Sequence, residues 1–333
     1  MVCKGVLINL DLTEAVLDEA ITLGCNLIIT HHPLIFAGIK KLTGKNMVEK
    51  IIIKAIQNGI SVYAAHTNLD NVKNGVNLKI AEQLELKDLS ILQTMKGRLL
   101  KLFVFVPVSH AAVLQDALFQ AGAGAIGQYS ECSFTTQGQG SFRPGSNTQP
   151  FIGTAGGDRS LVEEIKIEVI VPDYLQMQVT KAMRAAHPYE EIAHDWVLLQ
   201  NENQDIGAGI VGYLPQALSQ QEFLAWVKEK MQAEVIRYTD CKPTKIQKVA
   251  VCGGSGSFLM HQAKALACDA FITADYKYHQ FFEGENQIMI TDIGHYESEQ
   301  FTSKIFYDII KDKFPNFAVQ ISNITTNPVK YYY

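Results

Sequence analysis

The sequence predicts an α/β protein, a mainly parallel sheet frame with covering helices, carrying an inserted ferredoxin-like α+β domain. Three observations lead there. Strand-like and helix-like segments alternate over the first 65 residues. The same alternation returns after residue 245. Between them lies a stretch that repeats a different plan twice.

In the first part, VLINLDL reads as a strand and TEAVLDEAITLG as a helix by its apolar period. Asp11 with Glu14 offers a capping box before that helix, and Gly24 sits where a helix ends. LIIT (27–30) follows as a short buried strand, MVEKIIIKAIQNG as a second helix closed by glycine, and ISVYAA as a third strand. Short loops between such elements imply parallel pairing. Late in the chain KVAVC (248–252), AFITA (270–274) and QIMIT (287–291) are apolar strands, with helices after Gly256 and near 299–312.

The middle carries LKLFVFVPVSHAAVLQDALFQAG (100–122) and IKIEVIVPDYLQMQVTKAMRAAH (165–187). Each is an alternating strand ending in Val-Pro, then a helix. IAHDWVLL (192–199) closes the second copy, and TTQGQGSFRPGSNTQP (135–150) reads as a long loop or bulged hairpin. Two β-α-β halves resemble the split ferredoxin-like arrangement. The expected domains are therefore 1–96 with 201–333, forming a discontinuous α/β frame, and 97–200 as the insert.

Of the 333 residues 47% are hydrophobic and 19% charged, and the net charge is −5, which argues against a general nucleic-acid surface. No apolar run reaches the roughly 18 residues that span a bilayer, and MVCKGVLINLDLT has no signal-peptide pattern. The six cysteines are scattered without a CxxC spacing, which predicts free thiols in a reducing cytoplasm and no thiolate metal site.

Three strand ends carry similar chemistry. "LIITHHPLIF" runs a strand into His31 and His32, and Pro33 holds His32 extended so that the two rings splay. "VYAAHTNLD" leads to His66 and Asp70. "IMITDIGHYESEQ" leads through Asp292 to His295 and Glu299, which share one helix face at i,i+4 spacing. Taken singly, a strand-end histidine is a hydrogen-bonded structural residue, Asp70 a helix cap and Glu299 a solvated face. Together they fall where open α/β sheets bind ligands. Nitrogen and oxygen donors without thiolate suit Zn, Fe, Mn, Ni or Co. Three histidines and two carboxylates exceed one open catalytic site and fit two divalent transition-metal ions.

"VCGGSGSF" places Gly253, Gly254, Ser255 and Gly256 between a strand and a helix, where free N–H groups would cradle a phosphate; tight strand–helix packing is the alternative. "ITADYKYHQ" offers Asp275 and His279, again at i,i+4.

The ordered motifs "LIITHHPLIF", "HTNLD", "CGGSGS", "ITADYKYH" and "DIGHYESEQ" resemble the NIF-three-like family, whose bacterial members are labelled GTP cyclohydrolase I type 2 homologues. The resemblance implies a dinuclear metal site with His31, His32, Asp70, His295 and Glu299 as ligands and His66 nearby. It implies ring-like homohexamers, and an insert similar to PII and CutA proteins, to which "HPYEE" (187–191) belongs. Family chains carry a few dozen residues ahead of the "LDLT"-like strand. This chain starts almost on it, so a shortened N-terminus is expected.

The function expected is a metal-dependent hydrolase of the GTP cyclohydrolase type, with metal hydroxide attack on guanine C8 and release of formate. His66, Asp275 and His279 would be its acid/base groups. The alternatives are a nucleotide phosphoesterase and a non-enzymatic hexamer for metal storage, insertion or regulation. The expected partners are a small-molecule or nucleotide substrate and further copies of the chain, with neither membrane nor nucleic acid.

Overall fold

The computed structural model describes residues 2–332. The protein is a mixed α/β chain with several sheets. It divides into two compact units, Met1–Gln93 with Asp205–Tyr333, and Thr94–Gln204. Among the described residues, no helix is long and apolar enough to cross a membrane.

The first unit is built on two sheets. One is four-stranded and parallel throughout, in the order Val319–Ile321, Val6–Asn9, Leu27–Thr30, Ser61–Ala64. The other is six-stranded, in the order Arg237–Tyr238, Met289–Asp292, Ala270–Ala274, Lys245–Ser255, Glu202–Ser219, Lys87–Lys96. Its three inner strands from Lys245 to Asp292 run parallel, while Arg237–Tyr238 and Glu202–Ser219 pair antiparallel to their neighbours. Alternation explains why these strands read as unbroken apolar runs. Ile8 faces a core shared with Ile80, Val251, Ile272 and Phe306, while Leu7 faces Val16, Leu17, Ile28 and Ile51 on the other side. Each such fully buried Leu or Ile contributes about 1.5–3 kcal/mol relative to exposure. Both faces of the strand are covered, so the strand ends are where polar side chains gather.

The first helix, Glu14–Thr22, is capped by Thr13, whose hydroxyl accepts from the Val16 N–H at 3.3 Å. The expected Asp11–Glu14 box does not form. Thr13 has the extended cap conformation, which leaves the Asp11 carboxylate free for the strand-end His32.

The second unit runs Leu99–Pro107, helix Ala111–Gln120, Ser133–Phe142, Ser160–Pro172, helix Gln176–Ala186, His194–Leu199. Its sheet is antiparallel, in the order Ser133–Phe142, Ser160–Pro172, Leu99–Pro107, His194–Leu199. Both helices cover one face, where Leu102, Val104, Leu114, Leu118, Val169, Val179 and Met183 form a core. Ser133–Phe142 is a regular edge strand that takes in the first half of the stretch that composition reads as loop or bulged hairpin. It pairs from Ser133↔Val169 to Phe142↔Ser160. Exposed along most of its length, it needs no apolar alternation, and backbone pairing holds it.

Candidate metal centre

His31 and His32 follow the strand Leu27–Thr30, and both backbone N–H groups donate to the Leu10 carbonyl, at 3.1 and 3.0 Å. Their rings are tilted by 53° with centroids 4.9 Å apart, so they splay as Pro33 predicts. Asp70 closes the short helix Thr67–Asp70 after the third strand. His295 opens and Glu299 closes the helix His295–Glu299. These five side chains, from three strand ends of two sheets, meet at one place.

The ring nitrogens are sorted by their partners. His31 Nδ1 lies 2.9 Å from the Ala65 carbonyl, His32 Nδ1 2.7 Å from Asp11 Oδ1, and His295 Nδ1 2.6 Å from Asp275 Oδ2. Each acceptor holds its proton on Nδ1 and leaves an Nε2 lone pair facing inward. His32 Nε2 and His295 Nε2 approach to 3.2 Å, and Glu299 Oε2 stands 3.0 and 3.1 Å from them. On the other side His31 Nε2 lies 3.3 Å from Asp70 Oδ1 and 3.8 Å from Glu299 Oε1.

His31 Nε2, Asp70 Oδ1 and Glu299 Oε2 are buried without a hydrogen-bond partner. Buried acceptors crowded together without donors are costly unless a cation or a proton sits among them. The donor set therefore fits a metal. Three overlapping groups are positioned to hold an ion: His31, His32 and His66; His32, His295 and Glu299; His31, Asp70 and Glu299. Glu299 belongs to the last two through different oxygens.

The electrostatics agree. Burial would raise the Glu299 pKa, but the adjacent His295, His31 and His32 imidazoles, once protonated, hold it far below the carboxylate range. The Glu299 hydrogen bond lifts His295 to about 9 against the effect of burial. Burial would lower His32, yet Asp11 and Glu299 raise it to about 9. Asp70 is pushed up to about 6 by burial, partly offset by His31. His66 is lowered by burial and by the neighbouring His31 and His32.

His66 sits edge-on to both strand-end histidines, with ring centroids 5.1 and 5.2 Å away. Asp275, in a left-handed backbone conformation, accepts from Ser255 and orients His295. His279 is not brought to this place. No helix joins it to Asp275; it lies exposed in the 3-10 segment Tyr278–Gly284 with its ring against Tyr278.

The glycine loop also departs from expectation. The Gly253 N–H donates to Asn77 Oδ1, Gly254 to Ser298 Oγ and Gly256 to Thr273 Oγ1, each at 2.9 Å, so these groups are not free for a phosphate. At Gly254, with φ +59°, a Cβ would stand 2.5 Å from Glu299 Oε1 and 3.2 Å from His295 Cε1. The loop is glycine so that backbone can pass under the carboxylate.

Sequence reasoning missed Asn77, which ties the glycine loop to the Asp70 carbonyl at 2.9 Å. It missed Asp11 as the partner of His32, and Arg237, which pairs with buried Asp292. His32, His66 and His295 face a cavity of about 590 Å³, bounded also by Phe36, Arg237 and Tyr331.

The fold and site together define an α/β protein with a histidine–carboxylate cluster at its strand ends, positioned to hold a metal ion. Residues 1–328 match the model of the Duf34/NIF3 (NGG1p interacting factor 3) family, and the chain belongs to that family. A Halalkalibacterium halodurans protein named GTP cyclohydrolase 1 type 2 homolog is 40% identical over 98% of this chain and 88% of its own. The protein of that name in Bacillus subtilis is 37% identical with the same coverage. A crystal structure of a Bacillus cereus protein related to NIF3 superposes with a TM-score of 0.85 at 39% identity, covering 100% of this chain and 90% of that one.

Proposed function

We propose that the protein is a dinuclear metal-dependent hydrolase acting on a nucleotide, of the GTP cyclohydrolase kind its relatives' names suggest. The observation that carries the reading is Glu299, which turns Oε1 toward His31 and Oε2 toward His32 and His295. A carboxylate so placed suits two divalent transition-metal ions side by side, with His31 and Asp70 on one and His32 and His295 on the other. Such ions supply Lewis acidity toward water and substrate oxygen.

The chain's own residues supply the rest. Asp11, Asp275 and the Ala65 carbonyl fix three imidazoles in one tautomer. His66, with its pKa lowered, is neutral near pH 7 and faces the cavity, where it can accept a proton from a reacting group. Tyr296, Tyr331 and Phe36 offer aromatic surface to a base, and Arg237 offers a cation to an anionic group. With the Gly253, Gly254 and Gly256 N–H groups committed inside the protein, Arg237 and the metals are what the cavity offers to phosphates.

The strand order and paired helices of Thr94–Gln204 support reading residues 97–200 as an inserted ferredoxin-like, PII/CutA-like domain within a frame of 1–96 and 201–333. The family resemblance suggests a homohexamer, and six free cysteines suit a reducing, cytoplasmic compartment.

Metal-loaded protein incubated with GTP, with formate and phosphate both measured, tests the reading. Formate release that disappears in the His31→Ala/His32→Ala variant is expected. Phosphate without formate would make it a phosphoesterase. Neither product from fully metal-loaded protein would leave a metal-holding role and end the hydrolase reading.

A further inference from the structure

The unit Thr94–Gln204 has a cavity of its own, about 460 Å³, bounded by Phe142, Phe151, Tyr189 and Glu164, with Arg143, Glu190 and Glu191 among its exposed lining residues. Its floor is built around "HPYEE". His187 Nε2 donates to the Phe105 carbonyl at 2.9 Å, and its Nδ1 accepts from the Tyr189 N–H at 3.0 Å, which fixes a neutral ring and the course of the backbone. Tyr189 is thereby set with its hydroxyl donating to Glu164 Oε1 at 2.9 Å. Burial and the Glu164 carboxylate hold the Tyr189 phenol well above its ordinary pKa, so it remains the donor.

Glu164 is the unusual group. It is 9% exposed and, among the described residues, has the tyrosine hydroxyl but no cation as partner. A carboxylate so buried is normally paired. Its second oxygen occupies space that any side chain at residue 140 would fill, since a Cβ on Gly140 would stand 2.1 Å from Oε2. Three carboxylates against one arginine line the cavity, so its field favours a cation.

The rings select the kind of cation. Phe142 and Phe151 stand 6.0 and 6.4 Å from Tyr189, with planes inclined at 59° and 52°. A flat base needs nearly parallel faces to be sandwiched, and these meet at a corner. A corner of aromatic faces over a carboxylate is the environment an ammonium group seeks.

We propose that this cavity binds a small organic cation, a primary alkylammonium, with Glu164 as counter-ion and Phe142, Phe151 and Tyr189 as walls. The residues of this cavity all belong to Thr94–Gln204, and the proposal does not depend on the hydrolase reading.

Calorimetric titration of the full-length protein with n-butylammonium chloride at constant ionic strength tests this, with butan-1-ol and guanosine as neutral controls. Saturable binding of butylammonium is expected, weakened at least tenfold by Glu164→Gln and several-fold by Phe151→Leu, with metal content equal in all three proteins. Absence of saturable binding, or equal affinity in Glu164→Gln, overturns the proposal. Guanosine displacing butylammonium and binding more tightly would make the cavity a base site instead. Should circular dichroism show Glu164→Gln unfolded, Phe151→Leu, at a 52% exposed position, decides: unchanged affinity there removes the aromatic cage.

Discussion

His32 and His295, 263 positions apart in the chain, bring their Nε2 atoms to 3.2 Å, with Glu299 Oε2 within 3.1 Å of both. Two imidazole nitrogens that close, beside an unprotonated carboxylate, need a positive charge between them. Without metal, protons supply it; with metal, the ion replaces them. Purified protein should carry transition metal. The His31→Ala/His32→Ala variant should lose most of it by elemental analysis. Chelation should lower the melting temperature of wild type, since a ligand at a hundred times its Kd stabilises by about 2.7 kcal/mol.

The same pairing fixes a pH dependence. In the metal-free protein His32 and His295 have pKa values raised from 6.5 to about 9. A raised folded-state pKa stabilises fully below the unfolded value and loses that contribution as pH climbs through the folded one. Metal-free protein should therefore lose stability between pH 6.5 and 9 in urea titrations. Asp70, raised from 3.8 to about 6, removes stability in the same sense over that lower interval. Metal-loaded protein should not show the alkaline loss, and apparent metal affinity should rise with pH up to about 9. A flat profile for the metal-free form would mean the two imidazoles are not sharing protons with Glu299.

Asp275→Asn should weaken metal binding about 10–100-fold, the usual effect of losing the group that orients a ligating histidine. Its carboxylate fixes the His295 tautomer at 2.6 Å, and an amide can present either an N–H or an oxygen there. A competition titration with a coloured chelator measures the change. Unaltered affinity would show that Ser298, whose hydroxyl donates to the His295 carbonyl at 2.8 Å, and the helix start suffice to hold His295.

Gly254→Ala should reduce metal content and cost about 1–3 kcal/mol of stability, because residue 254 has φ +59° and its Cβ would stand 2.5 Å from Glu299 Oε1. If the loop instead served a bound phosphate, metal content would hold while nucleotide affinity fell. Metal analysis together with nucleotide titration separates the two.

Removing Thr94–Gln204 and joining the flanks with a short flexible linker should leave metal binding intact, because all of the converging side chains lie in the other unit. Soluble protein that no longer binds metal would contradict this.

The sequence by itself determined the strands and helices that lead into the site and the residue types gathered there. Apolar runs such as Leu27–Thr30 bounded by glycine, proline and polar residues encode local structure through backbone preference and burial, which act over a few residues. The His31–His32 pair and the His295–Glu299 spacing were legible for the same reason, since a strand end or one helical turn fixes neighbours directly. Tertiary structure decided what short-range rules leave open. Thr13 takes the helix cap and releases Asp11 to His32. Asn77, Ser298 and Thr273 take the glycine-loop N–H groups. A left-handed turn at Asp275 directs it to His295 and leaves His279 outside. Ser133–Phe142 becomes a strand only because Ser160–Pro172 lies beside it. In each case several local partners are available, and the one chosen is set by groups far away in sequence, whose arrival depends on how the buried sheets pack.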